Sequence, residues 1–169
     1  RLTPDQRDSL EIVETSAGVL LTLVDDLLDL SKIEAGRFDL DPVPFDPRET
    51  IEDALQTVAL KAHKKGLELV CDVAADVPAA AVGDPVRVRQ VVVNLVGNAV
   101  KFTDRGEVVV RVDAAPTDDG SVELHVSVAD TGCGIPSHKL DAIFERFTQA
   151  DGSTTRKYGG TGLGLAISA

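Results

Sequence analysis

The chain has 169 residues, 43% of them hydrophobic, and carries 17 Lys and Arg against 28 Asp and Glu for a formal net charge of −11. That length supports one core of ordinary size plus an appendage. The acidic balance speaks against a nucleic-acid partner. No apolar run reaches the roughly 18 residues of a membrane span, and there is no secretory leader pattern, so no direct membrane contact is expected.

The first predicted element is a long helix over 4–34. Pro4 suits a first helical position, with Thr3 as N-cap and Gln6 behind it. Leu10, Val13, Ala17, Leu20, Val24, Leu27 and Ser31 follow a 3,4 spacing, the pattern of a heptad seam. Leu21, Leu23, Leu28 and Leu30 widen the apolar surface beyond a two-stranded coil, which suits a four-helix bundle formed between chains. A stretch rich in Pro and Asp follows (Asp39, Asp41, Pro42, Pro44, Asp46, Pro47) and reads as a linker over 37–47.

An amphipathic helix is predicted over 48–65, with Ile51, Ala54, Leu55, Val58 and Ala62 on one face and Gly66 as its cap. Lys61, Lys64 and Lys65 favour its C-terminus. A strand is expected at 67–73, then a loop to Asp84. Asp84 and Pro85 form a helix start, and that helix runs over 85–102. Strands at 107–113 and 121–129 flank a turn at 116–120. A short helix is expected at 137–144 and a mobile loop over 147–161. Strands mixed with helices suggest an α+β fold, a two-layer sandwich with helices on one face of the sheet.

Cys71 and Cys133 have no metal-type spacing, and a reducing, cytoplasmic setting without a disulfide is expected. Cys71 ends the apolar run Leu67–Val70 and is expected on the core side. Cys133 lies in a glycine turn.

The polar residues of the 85–102 helix carry chemistry. Asn94, Asn98 and Lys101 at i, i+4 and i+7 share one face of a helix whose stretch 91–100 is otherwise Val, Leu, Ala and Gly. In isolation this pattern also fits a solvated helix edge. Amide oxygens ligate hard cations such as Mg²⁺, and a lysine meets phosphate oxygens. Downstream, Asp130-Thr131-Gly132-Cys133-Gly134-Ile135-Pro136 follows a strand and places a carboxylate acceptor beside two glycines. Further on, Gly160-Thr161-Gly162-Leu163-Gly164 precedes an apolar helical tail, and backbone N–H groups of such a loop form an anion site. The loop is neither a Walker A loop nor a dinucleotide fingerprint. Lys101, Arg105, Arg146, Arg156 and Lys157 fall in or near these motifs and give local positive charge to an acidic chain.

In order, the Asn-x-x-x-Asn-x-x-Lys-Phe helix, Asp-x-Gly-x-Gly-Ile-Pro, Ile143-Phe144-Glu145-Arg146-Phe147 and Gly-Gly-Thr-Gly-Leu-Gly-Leu resemble the N, G1, F and G2 boxes of sensor histidine kinases. Their ATP-binding catalytic domain has the Bergerat fold shared with gyrase, Hsp90 and MutL. The resemblance covers about Asp46 to Ala169. Leu27–Gly36 is similar to the segment joining the dimerisation helix to the catalytic domain, above all in hybrid-type kinases. The implied organisation is the second dimerisation helix (1–36), a linker (37–47) and the catalytic domain (48–169). The resemblance implies ATP and Mg²⁺ as ligands. Asp130 would accept from the adenine amine, with Gly132, Gly134 and Ile135 close by. Asn98 with Asn94 would hold Mg²⁺, and Lys101 would contact phosphate. Gly160, Thr161, Gly162, Leu163 and Gly164 would line the phosphate side, and Phe144 and Phe147 would anchor a lid. It further implies a homodimer through the N-terminal helix and a response regulator or receiver domain as partner.

His63, His125 and His138 all read as solvated or loop residues, outside the family's phosphoacceptor setting. The acceptor is expected upstream of Arg1, and the family's domain is expected to continue beyond Ala169. Hydrolytic relatives carry Glu where this chain has Asn94, and an amide cannot act as the general base that hydrolysis needs. Two alternatives are an ATP-hydrolysing relative and a non-catalytic dimerisation and nucleotide-sensing module.

Overall fold

The computed structural model describes residues 2–118, 121–140, 142–145 and 162–168. Helix α1 spans Pro4–Glu34. Its start is a capping box: the Gln6 backbone N–H donates to Thr3 Oγ1 at 3.3 Å, and Gln6 Oε1 accepts from the Thr3 N–H at 3.0 Å. Most of α1 is exposed. Among the described side chains of α1, only Asp29 and Leu30, near its end, are buried.

Strand β1 (Val43–Phe45) falls within the stretch read as a linker, and it pairs antiparallel with β3 (Ala81–Gly83). Neither strand was expected, since each has 3 residues and β1 contains a proline. Between them lie α2 (Pro47–Lys65) and β2 (Glu68–Val73). The Asp46 carboxylate caps α2 by accepting from Arg48 and Glu49 N–H, and Gly66 closes it at φ 69°. Helix α3 spans Pro85–Phe102, with the Asp84 carboxylate accepting from the Val86 and Arg87 N–H groups at 3.1 Å.

Strands β4 (Glu107–Pro116) and β5 (Val122–Asp130) complete a sheet of order β2-β4-β5. The β2–β4 pair is parallel and the β4–β5 pair antiparallel, so the sheet is mixed. Strand β4 runs three residues further than expected, and β5 keeps its expected length shifted by one residue. Of the turn between them, Asp119 and Gly120 lie outside the described residues. Period-2 alternation along β4 sends Val108, Val110 and Val112 inward and leaves Arg111 and Asp113 exposed. Against that inward face pack Ile51, Ala54, Leu55, Val58 and Ala62 of α2 and Val92, Val96, Ala99 and Val100 of α3. The result is the α+β, two-layer arrangement with helices on one face of a mixed sheet.

Cys71, expected on the core side, is exposed. Strand β2 pairs only with β4 among the described strands, so Cys71 lies on an edge strand of the sheet. In place of one helix at 137–144 there are two 3₁₀ turns, Ser137–Lys139 and Ala142–Phe144. A segment this short after Pro136 does not sustain α-helical nucleation. A last helix, α4, spans Gly164–Ser168.

Candidate functional site

The site grows from α3. One face of this helix buries Val92, Val96, Ala99 and Val100 in the core. The opposite register leaves Asn94, Asn98 and Lys101 half-buried, neither in the core nor fully solvated. Burial pushes the Lys101 ammonium below its ordinary pKa, and its Nζ sits 4.7 Å from the centroid of the Phe102 ring. A desolvated cation of this kind favours an anionic ligand that restores its solvation.

The C-terminal end of α3 is held by a residue that sequence reasoning had assigned only a favourable helix-end charge. Lys65 Nζ donates to the carbonyls of Val100 at 2.8 Å, Lys101 at 2.9 Å and Thr103 at 3.1 Å. It thus caps the carbonyl end of a helix other than its own and complements that helix's dipole. The lysine run at 61–65 was the available signal, but it pointed to the end of α2.

Asp130 closes β5 beside that helix end. Its Oδ1 accepts from the Gly132 N–H at 2.8 Å and from Thr103 Oγ1 at 3.4 Å. Thr103 is fully buried, and sequence reasoning missed it as a site residue. Among the described residues Oδ2 of Asp130 carries no hydrogen bond, so one carboxylate oxygen remains an open acceptor. Gly132 is required for space: a Cβ there would lie 2.6 Å from the Phe102 carbonyl oxygen and 2.7 Å from Asp130 Oδ1. Gly134 is required for conformation, at φ 69°. The turn is stitched to α3 by the Cys133 N–H donating to Phe102 O at 3.4 Å and to β4 by the Thr131 N–H donating to Glu107 O at 3.2 Å. Ile135 and Phe144 are exposed.

Helix α4 packs on the middle of the stripe. Asn94 Nδ2 donates to Ser168 Oγ at 2.9 Å, and Ser168 Oγ donates to the Gly164 carbonyl at 2.9 Å. The hydroxyl has one proton, committed to Gly164, so it can only accept from Asn94. This fixes the amide with Nδ2 toward Ser168 and leaves Oδ1 as the acceptor side. A Cβ on Gly164 would collide with the Asn94 amide. Ser168 had not been singled out from the sequence. Leu163 is fully buried, so its side chain serves packing. Gly162 adopts φ 70° ahead of the helix.

The structure therefore brings together the α3 stripe, the Asp130 turn and the start of α4. Phe147, Gly160 and Thr161 lie outside the described residues, as do Arg146, Arg156 and Lys157. Among the described residues no three His, Cys, Asp or Glu side chains converge as a metal cage. The donor set fits a hard cation shared with a ligand's oxygens: amide oxygens on α3, with the Asn94 amide oriented by Ser168.

The match to known proteins is decisive. Residues 83–169 match the family described as histidine kinase-, DNA gyrase B-, and HSP90-like ATPase. The chain belongs to this family. It is similar to the signal transduction histidine-protein kinase BarA of Escherichia coli (strain K12), at 45% identity over 98% of this chain and 18% of BarA. It is also similar to the sensor histidine kinase GacS of Pseudomonas protegens, at 47% identity over 99% of this chain and 18% of GacS. The chain thus spans under a fifth of the length of these relatives. Among solved structures, full-length ShkA in complex with AMPPNP superposes with a TM-score of 0.77 at 36% identity, covering 99% of this chain and 33% of ShkA. The histidine kinase AdeS of Acinetobacter baumannii, at 23% identity, shares the fold with a TM-score of 0.73 over 99% of this chain and 72% of AdeS.

Proposed function

We propose that the chain binds ATP with Mg²⁺ and acts as the catalytic part of a sensor histidine kinase, delivering the γ-phosphoryl to a histidine on a dimerisation helix. Relay to a response-regulator aspartate would follow. The observation that carries this reading is the amide at Asn94, held in one orientation by Ser168. The hydrolytic branches of the family carry a Glu at this position to activate water. An amide cannot take that proton, which favours transfer to a partner nucleophile over hydrolysis. The complex of ShkA with AMPPNP supports the nucleotide. The structure of ThkA with the response regulator TrrA supports the class of partner.

In this reading the free oxygen of Asp130 accepts from the adenine amine, and Gly132 lets the base approach. Lys101 meets the phosphates and recovers by ion pairing what it loses by burial. Residues Gly160, Thr161, Gly162, Leu163 and Gly164 would line the phosphate side, Leu163 through its backbone since its side chain is buried, and Phe144 and Phe147 would anchor a lid. Mg²⁺, held by Asn98 with Asn94, would supply charge neutralisation at the phosphates. Residues 1–36 would form the second dimerisation helix and 48–169 the catalytic domain, joined by 37–47, part of which pairs with β3. No described helix is long and apolar enough to cross a membrane. We place this segment in the cytoplasm.

The test is autophosphorylation of the full-length protein with ATP and Mg²⁺. Labelling should appear on histidine and vanish in Asn98→Ala; unchanged labelling in that variant would refute the site. A dimerisation and nucleotide-sensing role is a second reading, favoured by the exposed apolar seam of α1 (Leu10, Val13, Leu20, Val24, Leu27). It predicts dimers and nucleotide binding without phosphohistidine.

A further inference from the structure

The polar stripe of α3 is longer than the residues assigned to nucleotide. Arg87 and Gln90 precede Asn94 by seven and four positions, on the same helix face. They are engaged by α1. Arg87 Nη1 and Nη2 grip Asp29 Oδ2 and Oδ1 at 2.5 and 3.1 Å, and Gln90 Nε2 donates to Asp29 Oδ2 at 3.2 Å. Arg87 Nη1 also donates to Gln90 Oε1 at 2.7 Å, and the guanidinium lies 4.6 Å over the Phe38 ring. Asp29 is the only buried charged side chain among the described residues. Burial raises its carboxyl pKa, but hydrogen bonds from Arg87 and Gln90 outweigh this and hold it below the ordinary 3.8. A two-pronged grip fixes orientation as well as distance.

The docked face of α1 comprises Leu23, Asp26, Asp29 and Leu30, which are buried or half-buried. The seam residues Leu20, Val24 and Leu27 lie around the helix from it and stay exposed. Bundling through the seam and docking through Asp29 are therefore compatible. One rigid helix then carries the clasp at its first turns and Asn94, Asn98 and Lys101 beyond.

We propose that Asp29, Arg87 and Gln90 are positioning residues for phosphoryl transfer: their clasp sets how α1, and the bundle it enters, lies against the nucleotide face of α3. The proposal rests on the kinase reading and deepens it. Asp29 is engaged by Arg87 and Gln90 and is not among the residues assigned to nucleotide, so its loss leaves binding intact. It loosens the register between donor and acceptor, and small misplacements there cost large factors in rate.

The test uses the full-length kinase, with autophosphorylation rates measured across ATP concentration. Asp29→Ala should lower the maximal rate at least tenfold while the KM for ATP stays within twofold. The single reversals Asp29→Arg and Arg87→Asp should be equally slow, and the double reversal should recover at least a third of the lost rate. If Asp29→Ala does not fold, Asp29→Asn, which keeps the shape, should show a smaller loss with the same unchanged KM. A rate that is unchanged or raised, a KM that rises with the loss, or a double reversal without recovery overturns the clasp. Failure of the wild type to bind ATP would instead overturn the nucleotide reading beneath it.

Discussion

Helices α1 and α3 are both built on apolar spacing, and they meet opposite fates. In α3 the apolar face is spent: Val92 and Val96 are 2% and 0% exposed. In α1 the seam is unspent: Leu20 and Leu27 are 62% and 50% exposed. One pattern closes a core within the chain, and the other asks for a partner helix. What is left over differs too. Helix α3 keeps a polar stripe that the core cannot use, and that stripe holds the candidate chemistry.

The largest expected effect breaks the spent face. Ile51→Ala, opposite α3 in the core, should destabilise by about 2–5 kcal/mol in thermal or urea unfolding. Leu20→Ala should change the stability of the monomer by less than about 0.5 kcal/mol and show its effect in the monomer–dimer equilibrium instead. Equal effects in both assays would erase the contrast.

Next comes the close-packed turn. Gly132→Ala pushes a methyl group into the Phe102 carbonyl and Asp130 Oδ1. Displacing that carboxylate should weaken ATP by on the order of 10- to 100-fold, the worth of a hydrogen bond to a charged group, as read by calorimetry. Gly134→Ala should act through backbone strain instead, costing about 1 kcal/mol of stability.

Lys65→Met removes the cap on α3. We expect a loss of about 1–2 kcal/mol, with hydrogen exchange quickening at the end of α3 rather than of α2. Exchange quickening only in α2 would return Lys65 to its own helix.

The smallest effects are electrostatic. Lys101 has its pKa lowered by burial, so the unfolded chain binds that proton more tightly than the folded one. Stability should rise with pH between the lowered folded value and 10.5, and below that window the charged lysine is a standing cost. Lys101→Met should therefore stabilise the nucleotide-free protein slightly, by about 0.5 kcal/mol, while weakening ATP. Asp29 behaves oppositely. Its folded pKa is depressed, so its contribution is complete above 3.8 and is lost as pH falls through the folded value.

Much of this was legible because helix ends are written in single residues. Thr3, Gly66, and Asp84 with Pro85 marked boundaries that the structure reproduces. The α3 stripe was legible because Asn94, Asn98 and Lys101 interrupt the otherwise apolar second half of that helix. The β1–β3 pair was not, since short strands joined across α2 and β2 carry no periodicity of their own. Nor were Lys65, Thr103 and Ser168, each of which acts on a segment remote in sequence or at another element's end. Arg87 and Gln90 continued the stripe visibly, but their partner Asp29 sits among the leucines of α1. Cys71 misled because alternation reports which face a residue takes, not whether anything covers that face.

In the proposed reading, the open acceptor of Asp130 and the polar stripe of α3 form one ATP site. Calorimetric titration of ATP with Mg²⁺ into the wild-type chain and into Asp130→Asn tests it most directly. The variant keeps the shape of the turn and should bind at least about tenfold more weakly with its melting temperature unchanged. Equal affinities in the two proteins would contradict the site.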